Sequence, residues 1–328
     1  MAYDISKVHI INNTLVNKVV LEERDGKSVA VGINTSDDKE FRARKEIIVS
    51  CGAFKTPQIL MLSGIGDSEQ LSSIGIEKLN LHDHPSTILY WKLKHPENGL
   101  AIGSPHFPKR KVGPAEWVFT GSVPEEELAA VRQNDNTATE PRDATRRANY
   151  EITIGYGPFG VPPNMKVPID GSIISTGTVC FLPTSRGSIK VTSTNPADDP
   201  AIDPNYLSTE HDWAVLRCAL RQAMKVMNTS TAKEQVECQF QPEGFDIGLD
   251  SIDEELNARI KPYSSTWYHP GGTAAIGTVV DSECRVRGVQ CLRVVDASIL
   301  PKPLGAHYQA PIYAIAEQAS DMIAAAHS

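Results

Sequence analysis

The chain has 328 residues, of which 41% are hydrophobic and 22% are charged, and its formal net charge is −8. This composition is typical of a globular protein, and the length allows one large domain or two smaller ones. The negative charge argues against nucleic acid or an anionic membrane as the main partner, because both bind basic surfaces.

No segment predicts export or a membrane span. The first residues, MAYDISKVHIINN, contain no basic stretch followed by an apolar core, so no signal peptide is expected. No apolar run approaches the roughly 20 residues of a transmembrane helix, and the cytoplasm is the default expectation. The six cysteines are scattered without metal-ligand spacing, which predicts free thiols in a reducing compartment.

The first part of the chain predicts strands followed by a helix. The β-branched stretch at 8–23 indicates one strand, and RDGKSVAVGI adds a turn and a second strand. The apolar run KEIIVSCGA is typical of a buried strand that ends in a loop. TPQILMLSGIG predicts a short helix with Pro57 at its first position, ended by Gly64 and Gly66 with positive φ.

The remainder of the chain mixes strands and helices. Strands are predicted at ANYEITIGYG, GSIISTGTVCFL and GSIKVTST, and a strand running into a turn at CLRVVDASIL. A short helix is predicted at 124–133 and a long amphipathic helix at 211–227. The last helix is expected to begin at Pro311. The predicted fold class is therefore α+β.

One stretch, GYGPFG, matches a dinucleotide-binding template at Gly155, Gly157 and Gly160. That template works only when the glycines open a helix whose N-terminus faces a pyrophosphate. Pro162 and Pro163 follow closely and predict a loop instead, so we reject this motif. The sequence contains neither a P-loop nor a GxSxG motif, so nucleotide kinase and serine hydrolase functions have no support.

Three segments together resemble the glucose–methanol–choline (GMC) family of flavin oxidoreductases. GAFKTPQILMLSGIG resembles the second family signature, YHPGGTAAIG with the later CLRVVDASILP resembles the C-terminal core, and HYQAPIYAIAEQASDMI resembles the final helix. The shorter stretches NLHDHP, PTSRGSIKV and DPAIDPNYL also match, in the same order. The resemblance implies a partial FAD-binding domain plus an antiparallel-sheet substrate domain with flanking helices.

The resemblance also implies a division of the chain. Residues 1–85 would be the remaining part of the FAD-binding domain, 86–265 the substrate-binding domain, and 266–328 the catalytic loop and return segments. Family members begin with a Rossmann-type unit that this sequence does not show, so we expect a C-terminal portion from a truncated or split gene product, or from a gene model that misses upstream sequence. The stretch at 85–147 is expected to form part of the pocket rim.

By this resemblance the cofactor is FAD and the partner is a small-molecule alcohol. His269 matches the position of the catalytic base, a role that suits imidazole because its ordinary pKa is about 6.5. His307 matches a second active-site position, where a hydrogen bond orients the alcohol oxygen and stabilises a developing alkoxide. Without the flanking motif, a single histidine in an aromatic loop is more often structural.

Five further residues are implied as cofactor contacts. Asp296 and Ala297 match positions at the FAD pyrophosphate and ribityl chain, and Gln309 and Ala310 match positions at the flavin ring. Val16 matches a position that packs on the adenine, although an ordinary core valine explains it equally well.

Two other functions stay open from the sequence. The chain could be a non-catalytic remnant of the family, or a lyase that cleaves cyanohydrins and uses His269 as acid and base without redox chemistry. The run from His82 to His84 does not predict a metal site, because its side chains alternate in direction and no third ligand lies nearby.

Overall fold

The computed structural model describes residues 4–66, 80–107, 115–135, 147–163 and 165–328. The strands are β1 Val16–Arg24, β2 Lys27–Thr35, β3 Glu40–Arg42, β4 Ile47–Val49, β5 Pro85–Leu93, β6 Ala115–Gly121, β7 Tyr150–Gly155, β8 Ile173–Cys180, β9 Ser188–Lys190, β10 Ala201–Asp203, β11 Val236–Phe240, β12 Ser264–Thr266, β13 Val289–Gln290 and β14 Leu292–Val294. The helices are α1 Gly52–Leu62, α2 Glu125–Asp135, α3 Glu210–Met227, α4 Ser230–Gln235, α5 Asp253–Tyr263 and α6 Gln309–Ala326. Two short 3-10 turns lie at Pro96–Asn98 and Ala297–Ile299.

The largest element is an antiparallel sheet in the middle of the chain. Its strand order is β11-β5-β8-β7-β6, with β12 paired to the beginning of β5. Helices α2, α3 and α5 cover one face of this sheet, where Leu89, Trp91 and Ile152 meet Leu216 and Leu220 of α3. Burying such side chains contributes about 1.5–3 kcal/mol each. The antiparallel sheet with flanking helices was predicted, and the structure confirms it.

A second layer joins the two ends of the chain. β1, β2 and β3 form an antiparallel meander, and β13 adds to β2 in parallel. β14 pairs in parallel with β4, so a strand from residues 292–294 lies beside one from residues 47–49. The shared core includes Val19, Val49, Leu60 and Val294. The residues around 269–328 are thereby placed against both the meander and the large sheet.

Helix α1 begins five residues before the predicted start. Pro57 lies inside the helix rather than at its first position. A proline cannot donate to the carbonyl four residues earlier, which here belongs to Ala53. The hydroxyl of Thr273 donates to that carbonyl at 2.7 Å and replaces the missing bond. The predicted positive φ angles of Gly64 and Gly66 are confirmed, at 76° and 86°.

Two other predicted boundaries differ from the structure, one by eight residues and one by two. The first strand begins at Val16 instead of residue 8, because residues 8–15 pair with no strand in the described part of the chain. The last helix begins at Gln309 instead of Pro311. The GYGPFG stretch leads from β7 into a loop with no helix at 156–163, as the prolines predict.

All six cysteines are free, as predicted: three are buried and three are exposed. Among the helices of the described residues, none combines the length and apolar character that crossing a bilayer requires. The part of the expected pocket rim at 108–114 and 136–146 lies outside the described residues.

Candidate active site

His269 lies in the loop that follows β12, directly after a residue with an unusual backbone angle. Tyr268 has a φ of 61° and its side chain is 81% exposed. This left-handed turn sends the tyrosine outward and the next side chain inward, so His269 is only 9% exposed. The backbone N–H of His269 donates to Oδ1 of Asp83 at 2.9 Å.

Asp83 is a buried residue just before β5, and its carboxylate accepts four hydrogen bonds. Its Oδ1 accepts the backbone N–H groups of His84 and His269, at 2.7 and 2.9 Å. Its Oδ2 accepts the hydroxyls of Tyr206 and Thr266, each at 2.5 Å. A carboxylate that accepts four hydrogen bonds is stable in a buried place, and here it fixes three segments of the chain around the histidine.

The ring of His269 is held on two sides. Its Nδ1 lies 2.9 Å from Nδ1 of His84. The ring of Tyr308 stacks on it, with centroids 5.1 Å apart and an interplanar angle of 25°. Among the described residues, no protein group forms a hydrogen bond with Nε2 of His269. That nitrogen is therefore the one available for chemistry.

The structure brings His307 beside His269. The two ring centroids are 4.8 Å apart and the rings are nearly perpendicular, at 87°. Nε2 of His307 lies 3.0 and 3.1 Å from the carboxylate oxygens of Glu151 on β7. Glu151 is 2% exposed, whereas the His307 side chain is 51% exposed. A buried carboxylate thus supports a histidine that faces the open side of the site.

The two histidines have opposite electrostatic environments. The pKa of His269 is lowered to about 4, mainly by burial and also by the nearby His307, against the opposing effect of Asp83 and Glu151. The hydrogen bond to Glu151 raises the pKa of His307 above its ordinary value, against the effect of partial burial. Near neutral pH His269 is therefore neutral, whereas the environment of His307 favours its protonated form.

The glycine pair after His269 allows a close approach of backbone segments. Gly272 has a φ of 84°, and a Cβ there would lie 2.2 Å from the carbonyl oxygen of Asn80. A Cβ at Gly271 would lie 3.2 Å from the ring of Tyr308. The ring of His82, which accepts or donates a hydrogen bond with the Tyr308 hydroxyl at 3.2 Å, packs in the same place.

Asp296 and Ala297 adjoin this turn. The carboxylate of Asp296 accepts the backbone N–H of Gly52 at 2.9 Å, the hydroxyl of Thr56 at 2.5 Å and the backbone N–H of Ser298 at 2.7 Å. The carbonyl of Ala297 accepts the N–H of Gly272 at 3.2 Å. Asp296 therefore ties the start of α1 to the turn that supports the histidine loop.

Gln309 and Ala310 form the first turn of α6, next to His307. Both residues are exposed, and the N-cap residue Tyr308 makes no side-chain hydrogen bond to the end of the helix. Val16 lies half-buried at the beginning of β1 and is paired with Thr35. Six of the seven residues predicted for the site thus lie near one another, and Val16 is placed on the meander.

Four functional neighbours were not predicted from the sequence: Asp83, His84, Glu151 and Tyr308. The stretch that holds Asp83 and His84 was noted as a family match, but the only role weighed for its side chains was metal binding. Glu151 lies in a strand whose alternating pattern gives no sign of a buried acid.

The site and fold match a known family. Two family models, both described as GMC oxidoreductase, match residues 2–86 and 183–316. The chain belongs to the GMC oxidoreductase family, whose members are FAD flavoproteins. The N-terminal family model thus matches the first segment of this chain, and the C-terminal model matches the segment that holds both histidines.

The chain is similar over nearly its full length to several longer proteins. It is 42% identical to the GMC-type oxidoreductase acuG of Aspergillus aculeatus, over 99% of this chain and 64% of that protein. It is 30% identical to pyranose dehydrogenase 2 of Leucoagaricus meleagris, over 97% of this chain and 56% of that protein. The chain therefore spans between half and two thirds of the length of these relatives.

Solved structures give the same fold. A formate oxidase of Aspergillus oryzae, studied for the modification of its FAD, superposes with a TM-score of 0.79 at 26% identity, over 96% of this chain and 60% of the other. A pyridoxine 4-oxidase superposes with a TM-score of 0.73 at 24% identity, which shows the fold alone.

Proposed function

We propose that this chain carries the substrate-facing part of an FAD-dependent oxidoreductase that acts on the CH–OH group of a small alcohol. The observation that carries the proposal is the pair formed by His269 and His307, with ring centroids 4.8 Å apart and opposite pKa shifts. Family membership supports the redox class, and relatives named pyranose dehydrogenase and choline dehydrogenase support a hydroxyl-bearing substrate.

The two histidines suit different steps of alcohol oxidation. His269 is neutral near pH 7 and offers Nε2 to take the hydroxyl proton. His307 uses Nε2 for Glu151, which leaves Nδ1–H to donate to the alcohol oxygen and stabilise the alkoxide that develops there. FAD, when bound, accepts the hydride that leaves the carbon. The arrangement places proton removal and charge stabilisation on two neighbouring side chains.

The residues beside the histidines fit a flavin. The first turn of α6 exposes Gln309 and Ala310 at a helix N-terminus without a side-chain cap. Free N–H groups and the positive end of the helix dipole stabilise an electronegative ring edge. The family positions of Asp296 and Ala297 would serve the ribityl chain and pyrophosphate through backbone N–H groups. The carboxylate of Asp296 is already occupied by three protein donors.

The test is spectroscopic. The purified chain is incubated with FAD, excess FAD is removed by gel filtration, and the flavin absorbance is followed without oxygen after addition of each alcohol of a panel. We expect flavin bleaching by at least one alcohol. His269→Asn should lower the rate of bleaching about 100-fold or more, because it removes the base. The matched control is His95→Asn, a change at a histidine that is 54% exposed and lies in another part of the chain.

Two outcomes contradict the proposal. A folded chain that retains no flavin cannot carry out the reaction by itself. A chain that cleaves a cyanohydrin while its flavin stays oxidised has the lyase activity instead.

A further inference from the structure

Two ring nitrogens share one proton in the core of the site. Nδ1 of His84 and Nδ1 of His269 are 2.9 Å apart, a hydrogen-bond distance that requires one donor and one acceptor. Each neutral imidazole carries its proton on one nitrogen only. If His84 donates, His269 must carry its own proton on Nε2 and cannot act as a base there. If His269 donates, its Nε2 keeps a lone pair.

The surroundings of His84 keep its ring neutral. The ring packs against Phe181 and Tyr308, with centroids 4.9 and 5.0 Å away. Burial lowers the pKa of His84 to about 2, and the neighbouring His269 and His82 act in the same direction. The carboxylate of Asp83, the residue before His84, is used by the backbone N–H of His84 and by three other donors.

The second nitrogen of His84 decides between the two arrangements. Nε2 is buried and forms no hydrogen bond within the described residues. The backbone carbonyl of Leu304 favours a proton on the His84 ring. Because Nδ1 faces His269, the carbonyl of Leu304 acts on Nε2. A proton on Nε2 is attracted to that carbonyl oxygen, whereas a lone pair on Nε2 is not. A proton on Nε2 makes Nδ1 of His84 the acceptor.

We propose that His84 is a positioning residue that accepts a hydrogen bond from Nδ1–H of His269 and so keeps the lone pair of His269 on Nε2. In water a neutral imidazole prefers the opposite tautomer, with its proton on Nε2. The contact with His84 therefore selects the tautomer that can take a proton from a substrate. This inference rests on the proposed role of His269 and adds the residue that prepares it.

Asp83 gives the contact its geometry. It holds the backbone N–H groups of both His84 and His269 on the same carboxylate oxygen. The two rings are nearly perpendicular, at 82°, so an in-plane N–H of one can point to a nitrogen of the other. The backbone anchors and the ring contact together leave little freedom for the His269 imidazole.

The experiment reads the tautomer directly. The chain is prepared with 15N-labelled histidine, and long-range proton–nitrogen correlations of its nine histidines are recorded at pH 7. Loss of one signal set in His269→Asn assigns the residue. In the unmodified chain we expect the protonated nitrogen of His269 to be Nδ1. A proton found on Nε2 overturns the proposal whether or not the chain oxidises alcohols.

Two variants separate the tautomer from packing. His84→Phe keeps an aromatic ring between Phe181 and Tyr308 and removes the acceptor, so His269 should shift mainly to the Nε2–H tautomer. His84→Asn places an amide oxygen near the position of Nδ1 and should restore the Nδ1–H tautomer. An unchanged His269 in His84→Phe contradicts the proposal. If His84→Phe does not fold, a folded His84→Asn with the proton on Nε2 contradicts it equally.

Loss of the tautomer and loss of the proposed function are distinguishable. A chain that shows the Nδ1–H tautomer and never reduces flavin keeps the structural role of His84 and loses the oxidoreductase proposal. In a chain that reduces flavin, His84→Phe should lower the reduction rate about tenfold or more at saturating alcohol, and His84→Asn should recover most of it.

Discussion

Glu151 and His307 form a contact in which one partner is almost completely buried and the other is half exposed. Nε2 of His307 lies 3.0 and 3.1 Å from the two oxygens of the carboxylate, and the hydroxyl of Thr153 donates to the nearer of these oxygens at 2.9 Å. The buried acid therefore holds the histidine ring in one direction and raises its pKa, which favours the protonated form. This pair links β7 of the large sheet to the segment that precedes α6.

Glu151→Gln should lower the pKa of His307. The amide keeps a hydrogen-bond acceptor and removes the negative charge that favours imidazolium, so the pKa should fall by about one unit or more. A 15N or 1H titration of the histidine signals measures the change. The control is Glu237→Gln, an exposed acid that pairs with Lys92, which should leave the His307 titration unchanged. An unchanged pKa in Glu151→Gln would show that the carboxylate does not hold the charge.

The rate of flavin reduction should depend on pH in two limbs. His269 must be neutral, and its pKa is about 4, so the rate should be level near neutral pH and fall as the pH approaches 4. His307 acts best when protonated, and its raised pKa moves the loss of this form to higher pH. Stopped-flow reduction across pH measures both limbs. In Glu151→Gln the alkaline limb of the rate profile should move to lower pH. If this limb stays in place, it reflects the titration of a group other than His307.

The Gly272 turn should not tolerate a methyl group. Gly272→Ala combines a φ of 84° with a Cβ that would lie 2.2 Å from the backbone oxygen of Asn80. Gly277→Ala is the matched control, because its φ is 93° and its Cβ would meet nothing within 4 Å. The control should lose about 1–2 kcal/mol of unfolding free energy from backbone strain alone. Urea unfolding should show a distinctly larger loss for Gly272→Ala, and equal losses would contradict the close approach.

The buried ion pair of Glu46 and Arg293 should support the return strands. Nε of Arg293 lies 2.7 Å from the carboxylate, and the side chains are 3% and 9% exposed for Arg293 and Glu46. Arg293→Met leaves the acid without its main partner and should cost about 3–5 kcal/mol. Arg24→Met, which removes an exposed ion pair with Glu22, should cost about 0–1 kcal/mol. Thermal and urea unfolding compare the two variants.

The same ion pair predicts a pH dependence of stability. Burial alone would raise the pKa of Glu46, but hydrogen bonds from Arg293 and His327 outweigh it and the pKa is lowered. A lowered pKa means that the contribution is present above the unfolded value of 4.5 and is lost as the pH falls through the folded value. Arg293→Met should remove this part of the acid dependence. Parallel pH profiles in both proteins would show that Glu46 does not supply it.

The sequence predicted elements well where local patterns decide them. The residues around β7 and β8 predicted strands and the amphipathic pattern of α3 predicted a long helix, whereas the antiparallel arrangement of the sheet came from the family resemblance. Local signals failed where a distant residue decides the outcome. Pro57 is accepted inside α1 because Thr273, more than 200 residues later in the chain, supplies the missing donor.

The site shows the same division. His269 and His307 were predicted through family resemblance, and the structure brings them into contact. Their supports were not predicted, because the contacts of His269 with Asp83 and of His307 with Glu151 span 186 and 156 residues of sequence. A single sequence carries no local pattern for such pairs. Short motifs identify the reacting groups, and only the fold identifies the residues that set their charge and orientation.

The anchors of the two histidines have a consequence for how the site forms. Asp83 stands at the entry to β5 and Glu151 within β7, so both acids belong to the large sheet, whereas both histidines belong to residues 266–328. Neither histidine can reach its final orientation until the last part of the chain has docked on the sheet. The tautomer of His269 and the protonation state of His307 therefore depend on whether the last part of the chain has docked on the large sheet. Measuring both would show whether these two distant parts of the polypeptide have come together.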